Sequence, residues 1–344
     1  MDLAPKTVIR PIKRKDIDAL CEMARESGVG FTSLPENREF LAKKIALSEE
    51  SFAKKDQDLF AENYLFVAKD VASGRIIGTS AVAANVGADE LFYTYKLGKL
   101  TKACSKLGIR LQHETLSLTT DYQGAAEVCT LFVLPEFRTH KAGQLLSRSR
   151  FLFMSEFPGR FSDIVLAEMR GVSDDNGFSP FWNAIGRKFF GGVKFPQADY
   201  LTGMGEKQFI ADLMPEFRLY VCMLPDDAKA AIGEVHEKTR PALKLLQREN
   251  FHYRGYVDIF DAGPTVEARL ETIRTVKKNK RADVVGFSNN VGGRKYIITN
   301  TSCKFRACIG CLTKHEDGSV SLPRAVAKEL KIKKHDAVRF IAVA

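Results

Sequence analysis

Leu134-Pro135-Glu136-Phe137-Arg138-Thr139-His140-Lys141-Ala142-Gly143-Gln144-Leu145-Leu146 joins two contrasting stretches of chain. Before it, Val128-Cys129-Thr130-Leu131-Phe132-Val133-Leu134 is a continuous apolar run, which predicts a buried central strand. Pro135 ends that strand, and a helix containing Gln144, Leu145, Leu146, Arg150 and Phe151 follows. A helix that begins just after a strand leaves its first backbone N–H groups unpaired and aimed into the connecting loop. Together with the helix dipole they favour an anion there. A pyrophosphate fits such a corner, and coenzyme A carries one. An ordinary strand–loop–helix connection with a solvated basic face fits the same residues.

Outward from this corner the elements alternate. Thr7-Val8-Ile9-Arg10 reads as a strand stopped by Pro11, and a helix begins near Asp16 as N-cap, with Ile17, Leu20, Met23 and Ala24 at helical spacing. Ser27 to Pro35 predicts an ordered loop, and Glu36 to Lys54 a charged amphipathic helix. Tyr64–Ala68 and Ile76–Val82, joined around Ser73-Gly74, predict an antiparallel hairpin. Ile164–Gly171 predicts a short buried strand with charges at its end. Ala228–Phe251 holds two helical patterns separated by His236-Glu237-Lys238-Thr239-Arg240-Pro241, and Tyr253–Phe260 reads as a strand. A polar, basic linker runs from Lys277 to Arg281. Beyond it, Gly318–Pro323, Ala325–Leu330 and Val338–Val343 form a strand–helix–strand unit like the half-motif of small β-barrels. The expected domains are therefore residues 1–276 and a small basic barrel over 277–344.

At 344 residues, with 45% hydrophobic and 27% charged side chains, the chain suits about two globular domains. The opening Met1-Asp2-Leu3-Ala4-Pro5 lacks a signal-peptide layout, and no apolar run approaches the ~20 residues of a membrane span. Seven scattered cysteines suit reduced thiols, so a cytoplasmic protein without membrane contact is expected. The net charge of +10 is uneven: residues 274–344 hold 16 Lys and Arg against 5 Asp and Glu, while residues 1–273 are close to neutral.

Several longer strings carry a family resemblance. They include Phe31-Thr32-Ser33-Leu34-Pro35, Glu127-Val128-Cys129-Thr130-Leu131-Phe132, Ala167-Glu168-Met169-Arg170-Gly171, Ser179-Pro180-Phe181-Trp182 and Ile232-Gly233-Glu234-Val235-His236. Asp258-Ile259-Phe260-Asp261-Ala262-Gly263-Pro264 is another. From near residue 8 to about 275 the chain resembles the arginine N-succinyltransferases, and more broadly the GNAT-type N-acyltransferases. The resemblance implies an α+β GNAT-like acyl-CoA N-acyltransferase fold, a mixed and mostly antiparallel sheet flanked by helices. It implies succinyl-CoA as donor, L-arginine as acceptor, the first step of an arginine degradation route, and no permanently bound cofactor. A homo- or hetero-oligomer with a related subunit is the expected assembly.

The GNAT phosphate motif, Arg/Gln-x-x-Gly-x-Gly/Ala, falls on Arg138 to Gly143, with Lys141 in place of the first glycine. Arg138, Lys141 and Gly143 are thus candidates for binding CoA, and a lysine at 141 can meet a phosphate charge. By the same resemblance His236 takes the place of the catalytic proton donor and Leu131 that of an acyl-CoA-binding residue.

Amide formation from a thioester needs a neutral amine, donors for the carbonyl oxygen and a proton for the leaving thiolate. A histidine with a near-neutral pKa serves either proton transfer, although one at a helix end also caps. The guanidinium of arginine calls for carboxylates, for which Glu168, Asp174, Asp175 and Glu127 are candidates. Arg170 and the Ser33 loop are candidates for the succinyl carboxylate.

Cys129, inside an apolar strand, reads as inert, so direct attack in a ternary complex is preferred over an acyl-enzyme. Cys308-Ile309-Gly310-Cys311 has half the ligands of a zinc site and reads as packing, so no metal is expected. Trp182 reads as core or pocket wall. Three other functions stay open: acylation of ornithine or another basic amine, a weakly active partner subunit, and nucleic-acid binding by the basic tail. The tail's cations alternate with apolar residues and lack aromatic stacking platforms, which counts against nucleic acid.

Overall fold

A computed structural model describes residues 4–343 except 29, 56–60, 206–207 and 289–292. Its strands form one long mixed sheet. From Thr7–Pro11 the sheet continues antiparallel through Asn63–Asp70, Ile76–Ala83 and Ala126–Val133. Ala126–Val133 then runs parallel to Ile164–Glu168, and the antiparallel order resumes with Pro264–Arg269 and His252–Val257. A hairpin of two 11-residue strands, Thr94–Cys104 and Ile109–Thr119, follows, and Leu219–Tyr220 closes the edge.

Helices cover both faces where the strand pattern is apolar. Ile17–Ser27 and Arg38–Ala53 bury Leu20, Met23, Leu41 and Ile45 against Leu65, Val67 and Phe132. Asn37 caps the second of these, its side chain accepting the Phe40 N–H at 3.0 Å. Asp16 does not cap the first helix through its side chain. It is drawn instead into a two-pronged ion pair with Arg10 at 2.7 and 2.8 Å, a stronger partner than a lone N–H.

On the other face, Ala142–Glu156 buries Leu145, Leu146, Phe151 and Phe153. Phe153 sits edge-on or tilted to Phe52, Tyr64, Phe66 and Phe305 at 5.1–5.5 Å between centroids, contacts that add to the area they bury. A second core gathers Tyr95, Phe181, Trp182, Ile210 and Phe260. Trp182 is core, with its Nε1 donating to the Val193 carbonyl at 2.9 Å.

The tail is joined to the main sheet through one strand pairing. Ala307–Cys311 pairs antiparallel with Thr7–Pro11, with Val8 opposite Cys308 and Ile9 opposite Ala307. Lys295–Asn300, Ala337–Ala342 and Lys280–Phe287 extend the same sheet outward, and Val320–Leu322 adds in parallel. Among the described residues no pairing closes these strands into a ring. The tail keeps a small core of its own, including Val284, Ile298, Cys308, Val326 and Phe340, yet Phe305 plugs into the aromatic cluster of the main body. The expected linker is structured too: Arg274–Lys278 is helical and Lys280 already begins a strand. Cys308 is buried in the tail core, as packing requires, and its thiol is pushed up by that burial.

Candidate active site

The site is made by a strand that stops pairing. Ala126–Val133 is bonded to Ile164–Glu168 only at Ala126 opposite Val165 and Glu127 opposite Leu166. Past that point the two strands splay, leaving an edge of Val128–Leu131 without a strand partner. On its other side the register with Ile76–Ala83 slips: Phe132 faces Thr79 but Cys129 faces Ala81. Thr130 and Leu131 thus share one opposing residue, a β-bulge, and Thr130 takes φ 57° to make it.

A cleft fills the splay. Its walls are Glu127–Leu131 on one strand, Ala167–Arg170 on the other, the loop Gly30–Ser33, and Arg150, Thr239, Ala242 and Leu246 from the helical layer. Leu131, Ser33 and Glu168 therefore come together as sequence reasoning expected. The Ser33 carbonyl is fixed by Lys44 Nζ at 2.6 Å.

His236 is bonded to two of these walls without itself lining the cleft. Its backbone N–H donates to the Arg170 carbonyl at 2.8 Å, and its own carbonyl accepts the Thr239 N–H at 2.9 Å. Nδ1 accepts the Lys238 N–H at 3.1 Å, so the neutral ring carries its proton on Nε2. Partial burial, then the charges of Arg170 and Lys238, hold its pKa below the usual histidine value. It caps a short turn and borders the cleft at once.

The phosphate corner has the expected build. Pro135–His140 forms a tight 3-10 turn and Ala142–Glu156 starts with no side-chain cap, so its first N–H groups stay free. Lys141 adopts φ 58°, ψ 15°, the left-handed conformation that the motif's glycine would take without strain. Arg138 folds back, its Nε donating to the Val133 carbonyl at 3.1 Å with the guanidinium 5.8 Å from the Phe132 ring. A Cβ at Gly143 would meet only Val133 Cγ2 at 3.8 Å, so this glycine leaves open space instead of relieving a clash.

Two of the four carboxylates named from sequence stand elsewhere. Asp174 Oδ1 accepts the N–H groups of Asn176 and Phe178, a turn-forming role, and Asp175 is a solvated partner of Lys238 at 3.0 Å. Glu127 and Glu168 do line the cleft.

A second hollow adjoins the first, sharing Gly30, Thr32 and Glu168–Arg170, and adds Asp199, Asp258 and Asp261. Asp261 is buried, its oxygens taking the Gly171 and Gly263 N–H groups at 2.7 and 2.9 Å, and burial followed by the charge of Asp258 raises its pKa well above the carboxylate range. Asp199 accepts the Gly30 N–H at 3.0 Å, and burial, with Asp258 adding to it, pushes its pKa up to about 7. The sequence shows no local signal for Asp199, since nothing around it on Phe195–Gly203 points to a site.

Cys129 faces the cleft, but burial pushes its thiol up to about 11, which leaves it a poor nucleophile.

Residues 7–275 match the family model described as arginine N-succinyltransferase beta subunit, and residues 280–342 match its C-terminal domain. The chain belongs to the arginine N-succinyltransferase family. It is 40% identical over 97% of both chains to the arginine N-succinyltransferase subunit beta of Pseudomonas aeruginosa, and 38% identical over 97% of both to an arginine N-succinyltransferase of Yersinia pestis. It superposes on the solved arginine/ornithine succinyltransferase subunit AI from Pseudomonas aeruginosa with a TM-score of 0.90, at 35% identity and 99% coverage of each chain. The expected acyltransferase class and GNAT-like fold follow from this membership and from the splayed, bulged strand. For an arginine N-succinyltransferase the adjoining acidic hollow is chemically apt, because both nitrogen groups of arginine are cationic. Among the described residues no helix is long and apolar enough to cross a membrane, and no group of three or more His, Cys, Asp and Glu is arranged to hold a metal.

Proposed function

We propose that the protein transfers a succinyl group from succinyl-CoA to the α-amine of L-arginine. The observation that carries this reading is the bulged strand at Thr130–Leu131, open to a cleft that adjoins a hollow lined by carboxylates and followed in the chain by an uncapped helix start. The CoA pyrophosphate would lie on the free N–H groups after Lys141, with Lys141 and Arg138 supplying cationic charge and Gly143 room. The thioester carbonyl would meet backbone donors at the bulge beside Leu131, where donors fixed before the reaction stabilise the developing oxyanion. Glu168, shared by the two hollows, and Ser33, on the loop over the cleft, would position the acceptor. The guanidinium would face Asp199 and Asp258.

In this arrangement the acceptor's α-ammonium first gives up a proton. The amine then attacks the thioester carbon, the C–S bond breaks, and the departing thiolate takes a proton. His236 would first take the proton that the amine releases and, as imidazolium, return one from Nε2 to the departing sulfur, leaving the neutral ring. Cys129 plays no covalent part.

Thiol release from succinyl-CoA tests the reading, with arginine, ornithine, lysine or no acceptor present. Release dependent on arginine is expected; a solved relative described as an arginine/ornithine succinyltransferase makes ornithine the acceptor to compare first. His236→Ala should lower turnover by roughly 10²–10⁴-fold while CoA still binds. Unchanged turnover would remove His236 from the mechanism. Two relatives are described as subunits, which supports an oligomeric assembly, to be read from the mass in solution. The seven free thiols support a reducing, cytoplasmic setting.

A further inference from the structure

The helix Ala142–Glu156 carries two buried arginines two residues apart, and the fold treats them differently. Arg148 is fully partnered: its Nε is 3.0 Å from Glu249 and donates to Thr275 Oγ1 at 3.0 Å, and Nη1 donates to the Ala342 carbonyl at 3.0 Å. Arg150 is 1% exposed and forms no ion pair among the described residues. Its guanidinium donates only to neutral oxygens, all at long range: the Cys129 carbonyl at 3.2 Å, those of Ala81 and Ser147 at 3.3 Å, and Ser147 Oγ at 3.5 Å. Well-formed N–H···O bonds cluster near 2.9–3.0 Å. Burial lowers its pKa only to about 10, so the group stays charged at neutral pH. A buried guanidinium held by weak neutral contacts is costly unless an anion completes it.

Its position says which anion. Arg150 lines the cleft between the splayed strands, and its bond to the Cys129 carbonyl places it on the closed side of the bulge, toward the point where Glu127 meets Leu166. An acyl chain whose thioester carbonyl sits at the bulge extends its far end in that direction. Lys44, half-buried and held on the Ser33 carbonyl, brings a second basic group to the Cys129–Glu127 segment, and Glu127 favours the charged form of both. An acyl group ending in a carboxylate would give the Arg150 guanidinium a charged partner in place of these long neutral contacts. Arg170, the other arginine on the cleft, also lines the acidic hollow, where its Nη2 donates to Ser173 Oγ at 3.1 Å and the nearby Asp261 and Asp199 favour its cationic form.

We infer that Arg150 receives the terminal carboxylate of the acyl group and so sets a preference for dicarboxylic acyl-CoA donors over plain acyl-CoA. This rests on the transferase reading above and adds a specificity-determining residue to it.

The test uses the full-length protein with saturating arginine and two donors of equal chain length, succinyl-CoA and butyryl-CoA, in which a methyl replaces the carboxylate. The wild type should favour succinyl-CoA strongly in kcat/KM. Arg150→Gln should shrink that ratio by roughly 10- to 100-fold, and Arg150→Lys by less, because hydrogen bonds to a charged group are lost or weakened. A ratio unchanged in either folded variant would overturn the proposal and leave the transferase reading standing, since a purely structural Arg150 would lower both donors alike. Should the variants fail to fold, succinamyl-CoA, the neutral amide of succinyl-CoA, replaces them as the probe of the wild type. Equal use of succinyl-CoA and succinamyl-CoA would sink the proposal. A wild type that turns over no acyl-CoA would sink the transferase reading and this inference with it.

Discussion

Asp199→Asn should change the pH dependence of stability in a direction and by an amount that the structure fixes. The carboxyl is 9% exposed and pushed from 3.8 to about 7, chiefly by burial. Its folded-state pKa lies above its unfolded value, so between those values the native state holds a proton that the unfolded chain does not. The stability this confers is therefore full below about pH 3.8, declines as pH rises, and is gone above about pH 7. A shift of that size corresponds to about 4 kcal/mol over the whole window, of which about 3 kcal/mol falls between pH 5 and pH 8.

Asparagine keeps the shape and the oxygen that accepts the Gly30 N–H, yet cannot ionise. Relative to the wild type, the variant should gain about 3 kcal/mol in going from pH 5 to pH 8. For 344 residues that is a differential change in Tm of about 4 °C. Calorimetric scans of both proteins at pH 5, 6, 7 and 8 measure it directly, because other titrating groups largely cancel in the difference. A gap between the two Tm values that does not vary with pH would refute the account of Asp199 as a buried carboxyl held protonated. Arginine should reverse the trend in the wild type. A guanidinium beside Asp199 favours its ionised form, so binding below pH 7 should release a proton, visible as a dependence of the binding heat on buffer ionisation enthalpy.

Two further outcomes follow from local geometry. Gly263→Ala would bring its Cβ to 1.9 Å from the Met169 carbonyl oxygen, a backbone atom that cannot rotate away, so a loss of roughly 3 kcal/mol or more is expected in urea unfolding; an unchanged midpoint would contradict it. Cys129, with its thiol pushed up to about 11, should stay unmodified by iodoacetamide at pH 7.5 in the folded protein, and peptide mapping that finds it labelled ahead of the exposed Cys104 and Cys222 would count against its inertness.

The parts of the site that are local in sequence were legible, and those made by distant segments were not. The strand, proline and helix around 134–146 signal their own geometry, because each rests on residue types within a few positions. Even the Lys141 irregularity was visible, although only the backbone shows that lysine simply adopts the glycine's left-handed conformation. Asp199 was invisible because its burial comes from Gly30, Phe195 and Phe260, which are spread along the chain. Arg150 carried no signal in the sequence beyond its place in the helix that follows Pro135. That helix is in fact buried nearly all round, between the sheet and the tail. The tail's attachment was invisible for the same reason: its local motif signals a small unit of its own, while one of its strands, Ala307–Cys311, finds a partner edge at Thr7–Pro11, some 300 residues away. Asp16 has the identity of a cap, but nothing in its spacing weighs a lone N–H against the Arg10 guanidinium six residues earlier.

On the reading proposed above, the electrostatics of the cleft would order two substrates of opposite charge. The loop Gly30–Thr32 and the segment Glu168–Arg170 form a shared partition. On the proposed reading Arg150, bonded only to neutral oxygens, would face the acyl end, and on the other side lie Asp199 and Asp261, whose ionised forms burial disfavours. Each side is unfavourable when empty and relieved by its own ligand, so binding energy is concentrated where charge is matched and withheld from a substrate of the wrong sign. The bulge at Thr130–Leu131 lines the same cleft, and a donor and acceptor drawn to opposite sides would meet there. Selectivity and orientation would then have the same origin: the buried charges that choose the substrates would also hold the thioester and the amine in line for attack.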